Sequence, residues 1–299
     1  MLRFGLVTTA VLVIALGVSS PAMAIEYGGI GARPAYPNPS DSRTKSIFIL
    51  EIKPAQSASS AINVFNDNKS SQTVLLGAVD SEISSGGAFA CSQASDPRVA
   101  VGSWIELDAG QLNLGPNASQ IVPFSVKVPK NTAAGEHDGC ITISDLSQAS
   151  QKVGQSGISL NFRTAIRVAV IVPGKLIKKL ALTGVSVTRT RDGLYQVVPA
   201  VANQGNVSLD TTISVKLTSP LGPASDSEGG TYPVLPASQA EWNFNLKPPF
   251  WGGVYHAQAV ATYNNDPNSL IGQNLGGSES TSLDSSLIFI YPQPFAMLI

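Results

Sequence analysis

The chain repeats itself, and that repeat limits what it can fold into. The segment IVPFSVKVPKNTAAGEHDGCITISD (121–145) lines up with EWNFNLKPPFWGGVYHAQAVATYNN (241–265). Phe124 then pairs with Phe244 and Val128-Pro129 with Pro248-Pro249, each 120 positions on. Upstream, LNLGPNASQ matches YPVLPASQA, with Pro116 and Pro236 at the same spacing. Further up, VFNDNKS (64–70) resembles VANQGNV (201–207), now 137 positions apart. The change of spacing marks a middle section in which the copies are looped differently. A chain of 299 residues has room for two domains. Each copy has enough strands for its own core, so the expectation is a tandem pair of domains rather than a solenoid.

The class of each copy follows from periodicity. Long amphipathic helical patterns are nearly absent. Short alternating runs recur instead, among them SIFILEIKP, SAINVFND, QTVLLGAV, QIVPFSVKVP, RTAIRVAVIVPG, LYQVVPAVANQ and DTTISVKLTSP. They are rich in β-branched and aromatic residues and are set apart by Gly, Pro, Asn and Asp. Pro54, Pro129, Pro220 and Pro248 fall where strands end, as a residue without an N–H must. The rhythm is that of a β-sandwich. The predicted fold class is therefore all-β, with two tandem immunoglobulin-like β-sandwich domains. Pro173-Gly174 breaks the long run that starts at Arg163, which places the domains at 25–173 and 174–293.

The ends speak of export. MLRFGLVTTAVLVIALGVSSPAMA (1–24) has Arg3, an apolar run too short to span a bilayer and an Ala-Met-Ala ending, the pattern of a signal peptide cleaved after Ala24. In an oxidising compartment the two cysteines, Cys91 and Cys140, are expected to form a disulfide. The other end, SSLIFIYPQPFAMLI, is apolar to its last residue. It reads either as a final strand over 287–291 with a frayed end, or with 294–299 as the start of a membrane segment that would anchor a longer product.

Composition narrows function. Only 13% of residues are charged and the formal net charge is −1, so the basic footprint that nucleic acid requires is missing. The stretch GEHDGC (135–140) gathers a histidine, an aspartate and a cysteine, and invites a reading as half an active site. Strand alternation argues otherwise. It puts His137, Gly139 and Ile141 on one face and Asp138 and Cys140 on the other, so His137 and Cys140 do not meet. No Gly-x-Ser-x-Gly elbow, zinc spacing, calcium-loop pattern or phosphate-binding glycine motif occurs. The chain is read as a non-enzyme without catalytic residues, metal or cofactor. The repeat instead aligns His137 with Tyr255. A tyrosine soon after a glycine, entering a late strand, is the tyrosine-corner position of immunoglobulin-like sandwiches, where a polar tip bonds to backbone. Trp104, Phe250 and Trp251 are the remaining candidates for contact with a ligand or partner; for Phe250 and Trp251 the competing reading is a plug at the end of their own core.

Taken together, FSVKVPKNTAAGEHDGCITIS, RTAIRVAVIVPG and the opening GGIGARPAYPNPSDSRTKSIFILEIKPAQSASSAINVFNDN resemble the extracellular part of the WxL-interacting proteins of Gram-positive cell surfaces. The resemblance covers residues 25–174 best. It implies a first domain that binds peptidoglycan or another wall polymer, a second that binds a surface protein partner, and a C-terminal membrane helix, which this sequence lacks. Cys91 and Cys140 depart from that family's habit. The functional expectation is a non-catalytic, exported cell-envelope protein that binds wall polymer or a surface protein through sandwich loops or edges. The alternative is an assembly chaperone or adhesin-type structural module that pairs edge strands with another protein.

Overall fold

A computed structural model describes residues 25–84, 89–146, 151–153, 158–160, 163–220, 222–264 and 277–292. The expected signal peptide (1–24) and the apolar end (294–299) lie outside the described residues. The first sandwich comprises β1 (Ile25–Tyr27), β2 (Ile30–Pro34), β3 (Phe48–Glu51), β4 (Ser57–Asn66), β5 (Gln72–Ile83), β6 (Phe89–Cys91), β7 (Ile105–Leu107), β8 (Gln111–Leu114), β9 (Ser119–Lys127), β10 (Gly135–Asp145) and β13 (Arg163–Val172). A separate hairpin is formed by β11 (Gln151–Val153) and β12 (Ile158–Leu160). The second sandwich follows with β14 (Leu180–Arg189), β15 (Tyr195–Asn203), β16 (Leu209–Ser219), β17 (Gly222–Val234), β18 (Gln239–Glu241), β19 (Phe244–Leu246), β20 (Gly253–Tyr263), β21 (Glu279–Asp284) and β22 (Ile288–Ile290). The chain is all-β, as its alternating runs require, with two tandem immunoglobulin-like sandwiches.

In the first sandwich the sheet β1-β2-β4-β9-β7 faces the sheet β3-β13-β10-β5-β6, to which β8 adds by pairing with β5. In the second, β14-β15-β18, with β19 also on β15, faces β17-β16-β20-β21, with β22 also on β20. Each pair of sheets closes over its own core. One is built around Ile62, Val64, Phe124, Ile141, Ile143, Ile166 and Val168. The other is built around Val197, Val201, Ile213, Leu217, Phe244, Leu246 and Ala259. The half-buried strands show the expected alternation, clearest in β15, where every second residue from Tyr195 to Asn203 is buried.

β13 breaks this pattern for a physical reason. From Ile166 to Val172 every residue is buried. Ile166, Val168, Val170 and Val172 face the core, while Ala169 and Ile171 pack on the opposite side against Ile47 and Ile49. A strand covered on both faces reads as a continuous apolar run, which is what RTAIRVAVIVPG is.

The repeat is reproduced at the level of single hydrogen bonds. Asn66, at the end of β4, and Asn203, at the end of β15, are both buried. The Asn66 amide donates to the carbonyls of Ser70, Leu114 and Gly115, and its oxygen accepts from the Asn68 N–H. The Asn203 amide donates to Val207 and Val234, and its oxygen accepts from the Gly205 N–H. The turns they hold match as well, since Asn117 and Ala237 both take a positive φ just after Pro116 and Pro236. Within the final run at 287–291, Ile288–Ile290 forms β22, which pairs antiparallel to the start of β20. Among the described residues no helix is long and apolar enough to cross a membrane.

Candidate functional site

At its start β10 outruns β5. The ladder with β13 extends to Gly135–Val172, whereas the ladder with β5 stops at Gly139–Asp80, beyond which β5 pairs with β6. The stretch of β10 thus uncovered is met by the second sandwich. The Glu136 N–H donates to the Asn206 carbonyl at 2.7 Å, and the Asn206 side-chain amide donates to the carbonyls of Ala134 and Lys175. The Asn206 side-chain oxygen in turn accepts from the Ile177 N–H. Asn206 thereby ties the turn before β10 to the linker and to the turn before β16. Gly135 permits this approach: its φ is +130°, and a Cβ there would lie 2.4 Å from the Asn206 carbonyl oxygen.

Behind this seam lies a buried charge cluster. Arg167, in the middle of β13, donates from Nε to Asp138 Oδ1 at 2.7 Å and from Nη2 to Glu136 Oε1 at 2.6 Å. Its guanidinium lies over the Phe89 ring, 4.8 Å from the centroid. From the second sandwich, Ser208 donates its N–H to Glu136 Oε2 at 2.7 Å and its hydroxyl to Glu136 Oε1 at 2.6 Å. Arg167 Nη2 also donates to Ser208 Oγ. The side chains of Arg167, Glu136 and Asp138 are 9%, 1% and 2% exposed. Burial, reinforced by the charge of Asp138, raises Glu136 to about 8, although Arg167 and Ser208 pull the other way.

In front of the cluster is a cleft of about 450 Å³ between the sandwiches. Its walls include Glu82, Glu136, His137 and Asp138, with Ala134, Val101, Leu235 and Pro236 among the apolar members.

Cys91 and Cys140 form a disulfide. Cys140 is buried on the side of β10 away from the core residues Ile141 and Ile143, so the bridge ties β6 to the outer face of the sheet. Arg163 reinforces the same place by donating to the carbonyls of Cys91 and Ser92. His137 and Tyr255 stand two residues after Gly135 and Gly253, both with positive φ at strand starts. Each reaches back to backbone, His137 Nε2 to the Ala133 carbonyl at 3.0 Å and the Tyr255 hydroxyl to the Gly252 carbonyl at 3.5 Å. Tyr255 is part of its core, whereas the His137 ring lies against Trp104, 5.3 Å between centroids. Trp104 packs against the first core. Its ring is half-buried, so part of its surface is used inside the fold. Phe250 and Trp251 are 43% and 65% exposed, so they do not plug the end of the second core. Among the described residues no cluster of His, Cys, Asp or Glu is placed to hold a metal.

The junction residues Glu136, Asp138, Arg167, Asn206 and Ser208 escaped the sequence reading. One signal was present: a lone Arg167 inside a run otherwise buried on both faces demands a buried acidic partner.

A second feature is an open sheet edge. On one side β13 is paired with β10 along its whole length. On the other, β3 pairs in parallel with Val168–Ile171 only. Among the described residues no strand covers that edge from Arg163 to Arg167.

No family model matches the sequence, and no curated protein matches it. Solved structures with a similar course of the chain include the class 5 fimbriae chaperone CfaA, with 10% identity, TM-score 0.39, and 81% of this chain and 96% of that one covered. Others are the SafB chaperone complex with the Salmonella enterica SafA pilin (11%, 0.39, 87% and 97%) and the YadV chaperone (11%, 0.39, 86% and 99%). The resemblance to WxL-interacting proteins does not stand, because no family model matches the sequence. The motifs behind it, strand-ending prolines and Asn-rich turns, are what any sandwich needs.

Proposed function

We propose that this chain is a non-catalytic, exported cell-envelope module that offers a sheet edge to an extended segment of another protein, as an assembly chaperone or adhesin-type structural module does. The observation that carries this reading is the uncovered edge of β13 from Arg163 to Arg167. Unpaired backbone groups on a sheet edge are a template for strand addition. Their direction follows from the ladder: the Ile171 carbonyl accepts from Ile52 on the β3 side, so alternate residues Arg167, Ala165 and Arg163 point their backbone groups the same way.

The test is Ala165→Pro, which deletes one outward N–H while leaving the bonds to β10 in place. The mature chain and this variant are purified from the native envelope. The expected result is one stoichiometric protein partner with the parent and none with the variant, at similar melting temperatures. A partner kept by both, or retention on purified cell walls with no protein partner, overturns the reading.

A further inference from the structure

The exposed aromatics of the second sandwich form one surface. Phe250 and Trp251, in the turn before β20, pack edge to face with 5.1 Å between ring centroids. Phe289 on β22 and Tyr291 just after it do the same at 5.2 Å. The strand register joins the two pairs. Phe289 lies opposite Val254, and Ile290 opposite Gly253. The turn also presses on the segment after β22: a Cβ at Gly252 would lie 2.3 Å from the Pro292 nitrogen and 2.7 Å from the Ile290 carbonyl oxygen. Tyr255 and Ile290 point inward and belong to the core, so alternation turns their neighbours Val254 and Phe289 outward. Leu287, just before β22, extends the surface. These six side chains are each between 43% and 72% exposed.

With about 150–250 Å² in a whole aromatic side chain, the six present on the order of 600 Å² of apolar area. That is the upper end of the largest patch on an ordinary monomer, about 300–600 Å². It also approaches the roughly 800 Å² that each partner buries in a stable interface. No charged residue occurs in 248–255 or in 285–292. At the margin stand exposed Lys247 and the His256–Asp284 pair, 3.7 Å apart. An apolar, aromatic centre inside a polar rim is the anatomy of a protein interface. A lipid-facing surface is instead ringed by lysines and arginines. An uncharged centre also gives two copies of the chain no like charges to bring together.

We propose that this surface is the face of a two-fold homodimer, in which the second sandwich packs on the second sandwich of another copy. Such a contact is isologous: the same six side chains are supplied twice, and the assembly closes at two copies. Trp251 and Phe289 are its anchors, as large aromatics are in most interfaces. The β13 edge belongs to the first sandwich, so the dimer does not depend on the strand-pairing reading.

The test is sedimentation velocity on the mature chain across micromolar concentrations, at low and high salt. The expected result is a monomer–dimer equilibrium that stops at two copies and is no weaker in high salt, because no ion pair holds it. Phe289→Glu puts a charge from each copy into the apolar contact and weakens association by at least about thirtyfold. Its circular dichroism stays that of the parent, since Phe289 is exposed within one copy. Trp251→Ser weakens association as well, and Ala165→Pro dimerises like the parent. A parent that stays monomeric at high micromolar concentration overturns the proposal, as do assemblies that grow beyond two copies. So does a dimer that survives both Phe289→Glu and Trp251→Ser, or one that is lost in Ala165→Pro. A monomeric parent that floats with vesicles of phosphatidylethanolamine and phosphatidylglycerol assigns the surface to lipid and overturns it too. If Phe289→Glu does not fold, Trp251→Ser, in an exposed turn, decides.

Discussion

Asn66 and Asn203 do the same work in the two sandwiches: each is buried at the end of a strand, and its side-chain amide donates both within its own turn, to Ser70 or Val207, and to a distant segment, at Leu114 and Gly115 or at Val234. Leu114 and Val234, the distant acceptors, are themselves matched in the repeat. Asn→Ala at either position leaves buried carbonyls without donors, at about 1–3 kcal/mol for each unsatisfied group. The expected outcome is a loss of at least about 2 kcal/mol in each single variant, read by urea denaturation. Asn→Asp does not rescue, because a carboxylate cannot donate.

Glu136 makes stability depend on pH. Its folded value, about 8, lies above its ordinary 4.5, so the folded state binds the proton more tightly than the unfolded state. Its contribution to stability is complete below pH 4.5 and is lost as pH rises through 8. The slope in between approaches about 1.4 kcal/mol per pH unit. Glu136→Gln, which keeps the shape but does not titrate, flattens that slope. Denaturation midpoints measured across the window check this.

Removing the Cys91–Cys140 bridge opens a loop with a sequence separation of 49 residues. The chain-entropy model puts the loss near 4 kcal/mol. Cys91→Ser with Cys140→Ser should lower the melting temperature of the first sandwich, as reductant should for the parent. Calorimetry should show the second sandwich, which has no cysteine, unaffected.

Two glycines with positive φ should respond differently. Gly135→Ala must both strain the backbone and push a Cβ onto the Asn206 carbonyl, whereas a Cβ at Gly193 (φ +84°) meets no atom within 4 Å. Gly193→Ala should cost only the backbone strain, about 1 kcal/mol. Gly135→Ala should cost more and also loosen the domain junction, seen as faster amide exchange at Glu136 and Ser208.

The class of the fold was legible in short-range pattern. Alternation in β15, prolines after β9 and β16, and the recurrence of VFNDNKS as VANQGNV are local or periodic signals, and they specify strands, turns and two copies. The functional constellation was not. Glu136 and Asp138 were visible only as neighbours of His137, and GEHDGC was judged by its histidine and cysteine. Exposed Phe250 and Trp251 could not be told from core plugs, because an aromatic beside Pro and Gly suits both.

What the sequence by itself determined is the architecture, because side-chain period and turn residues act within a few positions along the chain. What only tertiary structure decided is the junction. Glu136, Arg167 and Ser208 come from three separate stretches, and they meet because β5 leaves β10 at Asp80 and the second sandwich fills the opening. Burial then turns ordinary side chains into a charge cluster, since the cost of unmatched charge depends on surroundings that no local pattern encodes.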